Sequence, residues 1–495
     1  MIIRFGEWLP DQPLYNNPGM TVAKNVIPGA SSYLPFRSLT TAIAPLPERA
    51  RGATAIKSDQ NVPYIYAGTS KKLYVGGDLT WTDVTRSTGG DYNLGTDNLW
   101  KFAERGNNLF ASSITEPLQS IQLGGTNFAN HITSTSKPQA NHIAVVRGDF
   151  LFMGDYTEAS TGRNSRGIWH SARGDDQNFD VDPITTQANR YQIDGEDGSV
   201  IQIIAGEYAT VVAEKAIWRF TYEGSPTVFR QDKIIRDRGS LMPNAVVDFD
   251  RTTYFLDEDG FYMFDGTQII PIGQEKVNRT VLNLIDWNFR QWTSTAVFPE
   301  LGVVAWAIPV SNSQGLLRRI FFYSWKINRW TEAEVDLELL FPALTQGVNL
   351  DIAPYDTLNL DVSPQSDWNL DGPEFIGGLS AMAAFNPDHR LGFFTGAPLT
   401  GRLETGEIQP FAPDRTEVDA IRLLAEGMPS ATADVYIGVR EQQNEVTEWV
   451  QAVGNLAWGG NVLAQGRFMK FRADITGEYK HGIAVDIQPK PAGAF

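Results

Sequence analysis

The sequence contains no cysteine, and only five of its 495 residues are histidine. The absence of cysteine excludes disulfide bonds, thiolate metal sites, cysteine nucleophiles and iron–sulfur clusters. The histidines stand at positions 131, 142, 170, 389 and 481, and none forms the H-x-x-x-H pair that binds zinc on a helix. The sequence therefore offers few of the residues on which metal and nucleophilic chemistry depend.

Long hydrophobic runs are also missing. No apolar stretch approaches the roughly 18 residues that a transmembrane helix needs. The first residues, MIIRFGEWLPDQPLYNNPG, lack the basic start, the apolar stretch and the small-residue cleavage site of a signal peptide. We therefore expect a soluble protein that is made in a reducing compartment and makes no stable membrane insertion.

Basic residues are in the minority, with 41 Lys and Arg against 58 Asp and Glu and a net charge of −17. A conventional nucleic-acid-binding protein neutralises phosphates with a basic stripe, so this balance argues against one. The balance is compatible with a wall past which DNA slides without sticking. It is equally compatible with an acidic surface that only keeps a large protein soluble.

Turn-forming residues are plentiful, with 45 Gly and 27 Pro, and so are aromatic residues. The stretch TTYFLDEDGFYMFDGTQIIPIG (252–273) predicts two short strands joined by an acidic turn at Asp259-Gly260. A second turn at Asp265-Gly266 leads to a third strand. Asp-Gly between aromatic runs is a strong hairpin signal because glycine tolerates a positive φ.

The same order of short strands and turns recurs along the chain. The other units lie at 62–85, 98–125, 142–175, 199–224 and 294–335. Six units between residues 50 and 345, spaced by roughly 40–60 residues, indicate a repeat architecture. The strands are short and show no helical period, so the pattern favours an all-β fold with a six-bladed β-propeller, in which radial repetition hides most strand edges.

We predict three regions from these patterns. Residues 1–49 form an extended leader, residues 50–400 form the propeller, and residues 401–495 alternate apolar and polar positions as a small C-terminal β-sandwich does. The N-terminal strand or residues 379–400 would complete the last blade and remove an exposed edge. The leader, taken as residues 1–45, and an extended acidic insertion at 345–378 are expected to bury little surface within one propeller and to reach across subunit or neighbour-protein boundaries.

The acidic insertion repeats Asn-Leu-Asp at 349–351, 359–361 and 369–371. Its aspartates suggest calcium, but recognised calcium loops place acids at alternate positions with a glycine and a distal glutamate. These acids are about five positions apart; they are Asp351, Asp356, Asp361, Asp367 and Asp371. We therefore favour an extended acidic excursion anchored by leucines, and we nominate no metal site and no cofactor.

No catalytic residue is nominated either. GEDG (195–198) lacks the lysine and hydroxyl residue of a phosphate-binding loop. VGGDLTW (75–81) is a poor match to the sialidase turn, and a carboxylate pair such as Asp257 with Glu214 stays open. Two arginine-containing stretches, GRNSRG (162–167) and IIRDRGS (234–240), suit either phosphate contact or salt bridges. His170, beside Trp169, is expected to be a packed blade residue rather than a base.

Several stretches of the sequence carry a resemblance. They are FGEWLPDQPLYNNPGMTVAKNVIPGASSYLPFRSL with its segment from Pro28 to Pro35, the units at 198–224 and 238–266, FIGG (375–378) and GRFMKFRADITGEYKHGIAVDI (466–487). Together they resemble the β-propeller tail proteins of tailed bacteriophages, and the similarity spans nearly the whole chain in this order. The nearest role in that group is the tail hub or nozzle of short-tailed phages.

The resemblance implies a structural virion protein with no enzymatic activity, found in the phage tail and synthesised in the cytoplasm of the bacterial host. It implies a homo-oligomer of six copies below the head-to-tail connector, with genomic DNA passing non-specifically through the ring. The expected partners are a connector or adaptor above and a fibre, spike or needle below. The alternative is a glycan-degrading or receptor-binding propeller of the tail.

Overall fold

The computed structural model describes residues 1–41, 43–77, 80–345, 378, 380–427, 430–454 and 460–493. Almost all regular structure in this part of the chain is β-strand, and the strands are paired antiparallel with one exception. The aspartate ladder at 349–371 lies outside the described residues, and so does the predicted excursion that contains it.

The chain begins with five short strands that pair with distant parts of the sequence. These are Ile2–Arg4 (β1), Met20–Lys24 (β2), Val26–Pro28 (β3), Tyr33–Pro35 (β4) and Thr40–Thr41 (β5).

Four successive four-stranded units follow, and each is a simple antiparallel meander. Blade 1 contains Ala53–Lys57 (β6), Pro63–Gly68 (β7), Leu73–Gly77 (β8) and Thr80–Asp83 (β9). Blade 2 contains Lys101–Arg105 (β10), Asn108–Ser113 (β11), Glu116–Gln122 (β12) and Ala129–Asn130 (β13). Blade 3 contains Gln139–Val146 (β14), Phe150–Glu158 (β15), Gly162–His170 (β16) and Asn189–Gln192 (β17). Blade 4 contains Val200–Ile204 (β18), Ala209–Ala213 (β19), Ala216–Gly224 (β20) and Val228–Arg236 (β21).

Three further units complete the series. Blade 5 contains Val246–Phe249 (β22), Thr252–Asp257 (β23), Gly260–Phe264 (β24) and Ile269–Pro271 (β25). Blade 6 contains Ser294–Phe298 (β26), Val303–Pro309 (β27), Leu317–Ser324 (β28) and Arg329–Leu337 (β29). Blade 7 contains Leu339–Leu344 (β30), Ser380–Phe385 (β31) and Leu391–Phe393 (β32), with β5 as its outer strand. The α-helix Asn278–Leu284 (α1) and the 3₁₀ helix Trp287–Trp292 lie between blades 5 and 6, and a 3₁₀ turn, Gly195–Asp197, precedes blade 4.

The seven units form a closed ring. A separate cluster of buried apolar side chains fills each interface between neighbouring blades, including the one between blades 7 and 1. At that last interface, Ile65 and Tyr74 of blade 1 pack with Phe341 and Phe385 of blade 7. The predicted propeller is confirmed, but the expected number of six blades is wrong, since the described residues form seven.

The ring is closed by strands from distant parts of the sequence. Thr40 and Thr41 of β5 pair with Phe393 and Gly392 of β32, so the outer strand of blade 7 comes from the start of the chain. Antiparallel pairing of this kind covers the edge that the blade would otherwise expose.

Seven more strands follow the propeller. They are Gly401–Thr405 (β33), Thr416–Glu426 (β34), Thr432–Arg440 (β35), Glu448–Gln451 (β36), Gly460–Gly466 (β37), Phe468–Thr476 (β38) and His481–Pro491 (β39). One sheet has the order β3-β4-β39-β34-β37, with β1 also on β39. The other continues blade 6, because β29 pairs with β2, and β2 is followed by β33, β38, β35 and β36.

The two sheets bury one core between them. Val418 and Val485 of the first sheet share this core with Val435 and Phe471 of the second, and all four side chains are fully buried. The same core extends to Trp330 of blade 6. Because one nine-stranded sheet runs through both parts, the position of the sandwich on the propeller is fixed by backbone hydrogen bonds as well as by packing.

The predicted role of the leader needs correction. Residues 1–45 were expected to bury little surface within one propeller, yet Phe5, Trp8 and Met20 are almost completely buried in the sandwich core of the same chain. Their reach across subunit or neighbour-protein boundaries stays a prediction. The Pro- and Asn-rich composition suggested an extended segment, and the segment is extended. Its strand partners, however, are β29, β33 and β39 of the same chain, more than 300 residues away.

Candidate functional site

The first strand of each blade lies at the centre of the ring. These strands contact the first strands of neighbouring blades, as β10 and β14 do, whereas the outer strands do not. They therefore surround the axial channel of the propeller, as expected for radially arranged blades.

The charged side chains of the channel strands are few and of both signs. Burial raises the pKa of the Glu104 and Asp248 carboxyls above the ordinary value, although both residues are exposed to water. Burial also lowers the pKa of the Lys101 ammonium to about 8. A side chain in a narrow channel has this combination of properties, because water reaches it while surrounding protein limits its hydration.

One arginine in each of the two arginine-containing stretches forms an internal ion pair. In the first, the Arg163 guanidinium binds Asp155 through Nε at 2.8 Å and Nη2 at 2.7 Å. In the second, Arg238 pairs with Asp259 and lies 4.7 Å from the Tyr262 ring centroid. A bidentate carboxylate occupies the geometry that a phosphate would use, so Arg163 favours the salt-bridge interpretation.

His170 is a packed residue of blade 3, as predicted. Its ring lies about 5 Å from the rings of Phe150, Phe152 and Phe229, between blades 3 and 4. Nδ1 is 2.9 Å from the Ser171 carbonyl oxygen, and burial lowers the pKa of the imidazole to about 4. The ring is therefore neutral at pH 7 and serves the interface between two blades.

Two other sequence features have structural partners. Trp81, in the poor sialidase match, donates from Nε1 to the Ala44 carbonyl at 2.9 Å and stacks on Phe385 of blade 7. Asp197, in GEDG, accepts hydrogen bonds from Trp218 Nε1 at 2.8 Å and from Lys233 Nζ at 2.9 Å. Both residues connect elements of the propeller. Among the described residues, no group of three or more His, Asp and Glu is placed to hold a metal ion.

The carboxylate pair considered from sequence, Asp257 with Glu214, flanks one segment of the chain. Arg238 Nη1 lies 3.7 Å from Asp257 Oδ2, and the neighbouring Gly239 packs against the Glu214 backbone. Asp257 is 5% exposed, and burial raises the pKa of its carboxyl to about 6. Asp257 is the acid in this region whose protonation changes near neutral pH.

Replacing Asp257 by Asn is expected to stabilise the protein at pH 8 by about 1–2 kcal/mol. The folded state holds the proton up to about pH 6, whereas the unfolded carboxyl ionises near 3.8. The free energy of unfolding therefore falls as the pH rises from 4 to above 6, because the buried carboxyl must ionise. Asn cannot ionise, so the variant does not lose this stability. Urea unfolding of both proteins at pH 4 and pH 8 measures it, and the gain should vanish at pH 4.

Asp265→Asn is the control of opposite sign. Backbone N–H groups of Gln268 and Thr267 bind its carboxylate and lower its pKa to about 2. This substitution should destabilise the protein at pH 7, and the loss should fade towards pH 2. Equal effects of Asp257→Asn at pH 4 and pH 8 would contradict the assignment.

Sequence comparisons give no family assignment, since neither a protein-family model nor a curated protein matches the chain. Solved structures do match. The β-propeller domain of Cps50 (Swd1) from Myceliophteria thermophila is 7% identical, with a TM-score of 0.41, over 72% of this chain and 99% of that domain. The chain has a β-propeller fold.

Two further structures match at a similar level. BamB from Moraxella catarrhalis is 10% identical, with a TM-score of 0.35, over 75% of this chain and 93% of BamB. A chain of a mitotic checkpoint complex is 9% identical, with a TM-score of 0.38, over 74% of this chain and 96% of the other. At these identities the likeness concerns the fold alone. No helix of the described residues is long and apolar enough to cross a membrane.

Proposed function

We propose that the chain is a structural protein of a bacteriophage tail, a ring-forming hub or nozzle around the DNA ejection channel. The family resemblance of its N-terminal, central and C-terminal sequences is the source of this assignment. The structural observation that supports it is the nine-stranded sheet shared by blade 6 and the sandwich. The junction is the pairing of β2 with β29 at Lys24 and Glu332, so the propeller and the sandwich of one subunit share a backbone connection besides their common core.

The burial of the N-terminal segment supports the same proposal. β1 to β4 join the sandwich and β5 closes the propeller, so one segment secures both parts of the subunit. Edge strands of the described sandwich, β36 and β37, remain at the ends of their sheets. Contacts between copies in a ring would cover such edges.

The charge balance fits a conduit better than a DNA clamp. A net charge of −17 per chain, multiplied over six copies, opposes tight binding of duplex phosphates. We propose that the inner surface of the ring formed by the six copies is net acidic or neutral, with any Lys or Arg sparse or arranged in isolated rings. Contact with DNA would then be weak and screened within about 8 Å at physiological salt.

The oligomeric mass tests the proposal. Native mass spectrometry of the purified protein, together with rotationally averaged images of tail particles carrying a tagged chain, should give six copies in one ring. A chain that stays monomeric in solution and is absent from the particle would overturn the proposal. A ring with another copy number would keep the structural role and correct the symmetry.

A second candidate is glycan hydrolysis, which one observation favours. Burial raises the pKa of the Asp257 carboxyl to about 6, in the range that a general acid needs, and the backbone of Glu214 packs against Gly239 beside Arg238. Purified protein should then release sugars from host cell-surface polysaccharide, and Asp257→Asn should abolish the release. Without release by the unaltered protein at pH 5–6, the structural role stands alone.

A further inference from the structure

Side chains from three consecutive blades meet at the axial channel. Lys101 lies on β10 of blade 2, His142 on β14 of blade 3, and Gln202 on β18 of blade 4. Lys101 Nζ is 3.5 Å from Gln202 Oε1, although blades 2 and 4 are not neighbours. A contact that passes over the intervening blade is possible only near the axis, where the first strands converge. The three side chains therefore share one section of the channel.

The Lys101 ammonium has no carboxylate within 4 Å among the described residues. It is only half-exposed, and burial alone lowers its pKa to about 8. Glu104, on the same strand, is an odd number of positions away, so its side chain leaves the opposite face of β10. A poorly hydrated cation without a counter-charge favours any anion that reaches it.

His142 adds an unused polar atom to the same place. Its side chain is 6% exposed, and ring Nδ1 has no hydrogen-bond partner. Burial, reinforced by the Lys101 charge, lowers the pKa of the imidazole to about 3, so the ring is neutral at pH 7. A buried nitrogen without a partner carries a free-energy cost that a ligand accepting its proton would remove.

The remaining charges nearby are already paired. Arg163, on β16 of the same blade, lowers the pKa of His142, and its guanidinium is neutralised by Asp155. Asp155 also accepts a hydrogen bond from Asn141 at 2.5 Å. Its carboxylate is thus engaged by two donors. Lys101 therefore remains as a cation that has no carboxylate partner among the described residues.

We propose that this section of the channel binds a small oxyanion between Lys101, His142 and Gln202. The ammonium of Lys101 supplies the charge, and the Nδ1–H tautomer of His142 supplies a neutral donor. Gln202 is hydrogen-bonded to both side chains and positions them. A sulfate, a phosphate or a small carboxylate has the acceptor atoms that such a set requires. The site links blades 2, 3 and 4, and the inference does not depend on the proposed function.

Sulfate is the probe for this site because its charge is constant between pH 6 and pH 9. Isothermal titration of the full chain with sulfate is expected to show one site per subunit. Lys101→Met should weaken binding at least tenfold, whereas Lys101→Arg should retain most of it. Lys57→Met is the matched control, since Lys57 is an exposed lysine at the end of the first strand of blade 1, and it should bind as the unaltered protein does.

The pH dependence provides an independent readout. Sulfate affinity should fall about tenfold between pH 7 and pH 9, because Lys101 loses its proton with a pKa of about 8. Phosphate and acetate, titrated at pH 7, distinguish a tetrahedral from a planar oxyanion. Undiminished sulfate binding by folded Lys101→Met, a flat pH profile, or no binding of any of the three anions at millimolar concentration would each overturn the proposal.

Discussion

Replacing Arg329 by Met is expected to lower the free energy of unfolding by about 2–4 kcal/mol. Arg329 is 7% exposed and lies at the start of β29, where blade 6 meets the N-terminal segment. Its Nη1 donates to the carbonyls of Gly29 at 2.7 Å and Ala30 at 3.2 Å. Nη2 donates to the Gly6 carbonyl and to the Tyr33 hydroxyl at 3.1 Å.

Methionine preserves the volume and removes every one of these donors. The Gly29 and Ala30 carbonyls would lose these donors, and the Gly6 carbonyl would keep only the Tyr33 hydroxyl. The cation over the Tyr33 ring, 4.9 Å from its centroid, would also be lost. Urea unfolding gives the loss of stability. Compared with the unaltered protein, the variant should exchange its amide hydrogens faster in β1 to β4, with a smaller change in blades 1 to 3. The reason is that the substitution releases the N-terminal segment first.

Arg230→Met is the matched control for this prediction. Arg230 is an exposed arginine that pairs with Glu223 and Asp232 on the surface of blade 4. Exposed ion pairs contribute little, so its stability should equal that of the unaltered protein within error. If both substitutions had the same effect, the buried hydrogen bonds of Arg329 would not secure the N-terminal segment.

Replacing Trp330 by Ala is expected to cost about 3–5 kcal/mol. Trp330 is fully buried, and its ring centroid lies 4.6 Å from that of Phe261 in blade 5 and 5.7 Å from that of Trp306. Its Nε1 donates to the Ile272 carbonyl at 2.8 Å. The substitution leaves both a large cavity and an unpaired carbonyl at the junction of blade 5, blade 6 and the sandwich.

Differential scanning calorimetry and urea unfolding would measure the effect. Trp449→Ala is the control, because Trp449 is a half-exposed tryptophan on the edge strand β36 and should lose less than half as much. If the Trp330→Ala and Trp449→Ala variants unfolded at the same urea concentration, Trp330 would not hold the propeller and the sandwich together.

The sequence predicts blades 1 to 6 because each is continuous in the chain and contains its own turns. The hairpin at 252–273, for example, forms β23 to β25, with its turn at Glu258-Asp259, one position before the predicted Asp259-Gly260. Blade 7 has no such local signature. Its first strand precedes residues 346–377, its second and third strands follow them, and its fourth strand is Thr40–Thr41. These strands form no continuous unit in the sequence, so the sequence predicted only six blades.

Long-range pairing also explains the error in the N-terminal segment. Periodicity identifies a strand but not its partner, and the partners of β1 and β2 lie near the other end of the chain. The alternation of apolar and polar residues after residue 401 predicted a C-terminal β-sandwich, and strands β33 to β39 lie in its two sheets. It did not reveal that β1 to β4 join the two sheets or that blade 6 continues into one of them.

The residues of the candidate site were harder to predict from the sequence than the blades. His170 was correctly predicted as packed because an aromatic neighbour favours burial. Lys101, His142 and Gln202 are about 40 and 60 residues apart in sequence, and only the ring brings them together. The shared position of all three on first strands was the one available signal, and it requires knowing where each blade begins.

The pairing of both chain ends has a consequence for synthesis. β5 has no partner until residues 391–393 have left the ribosome, and β1 must wait for β39. At about 5–20 residues per second, the 350 residues between Thr41 and Leu391 take on the order of 20–70 seconds to translate. Throughout that interval the nascent chain carries an open propeller and an unburied hydrophobic segment containing Phe5 and Trp8, the kind of exposed surface that promotes aggregation.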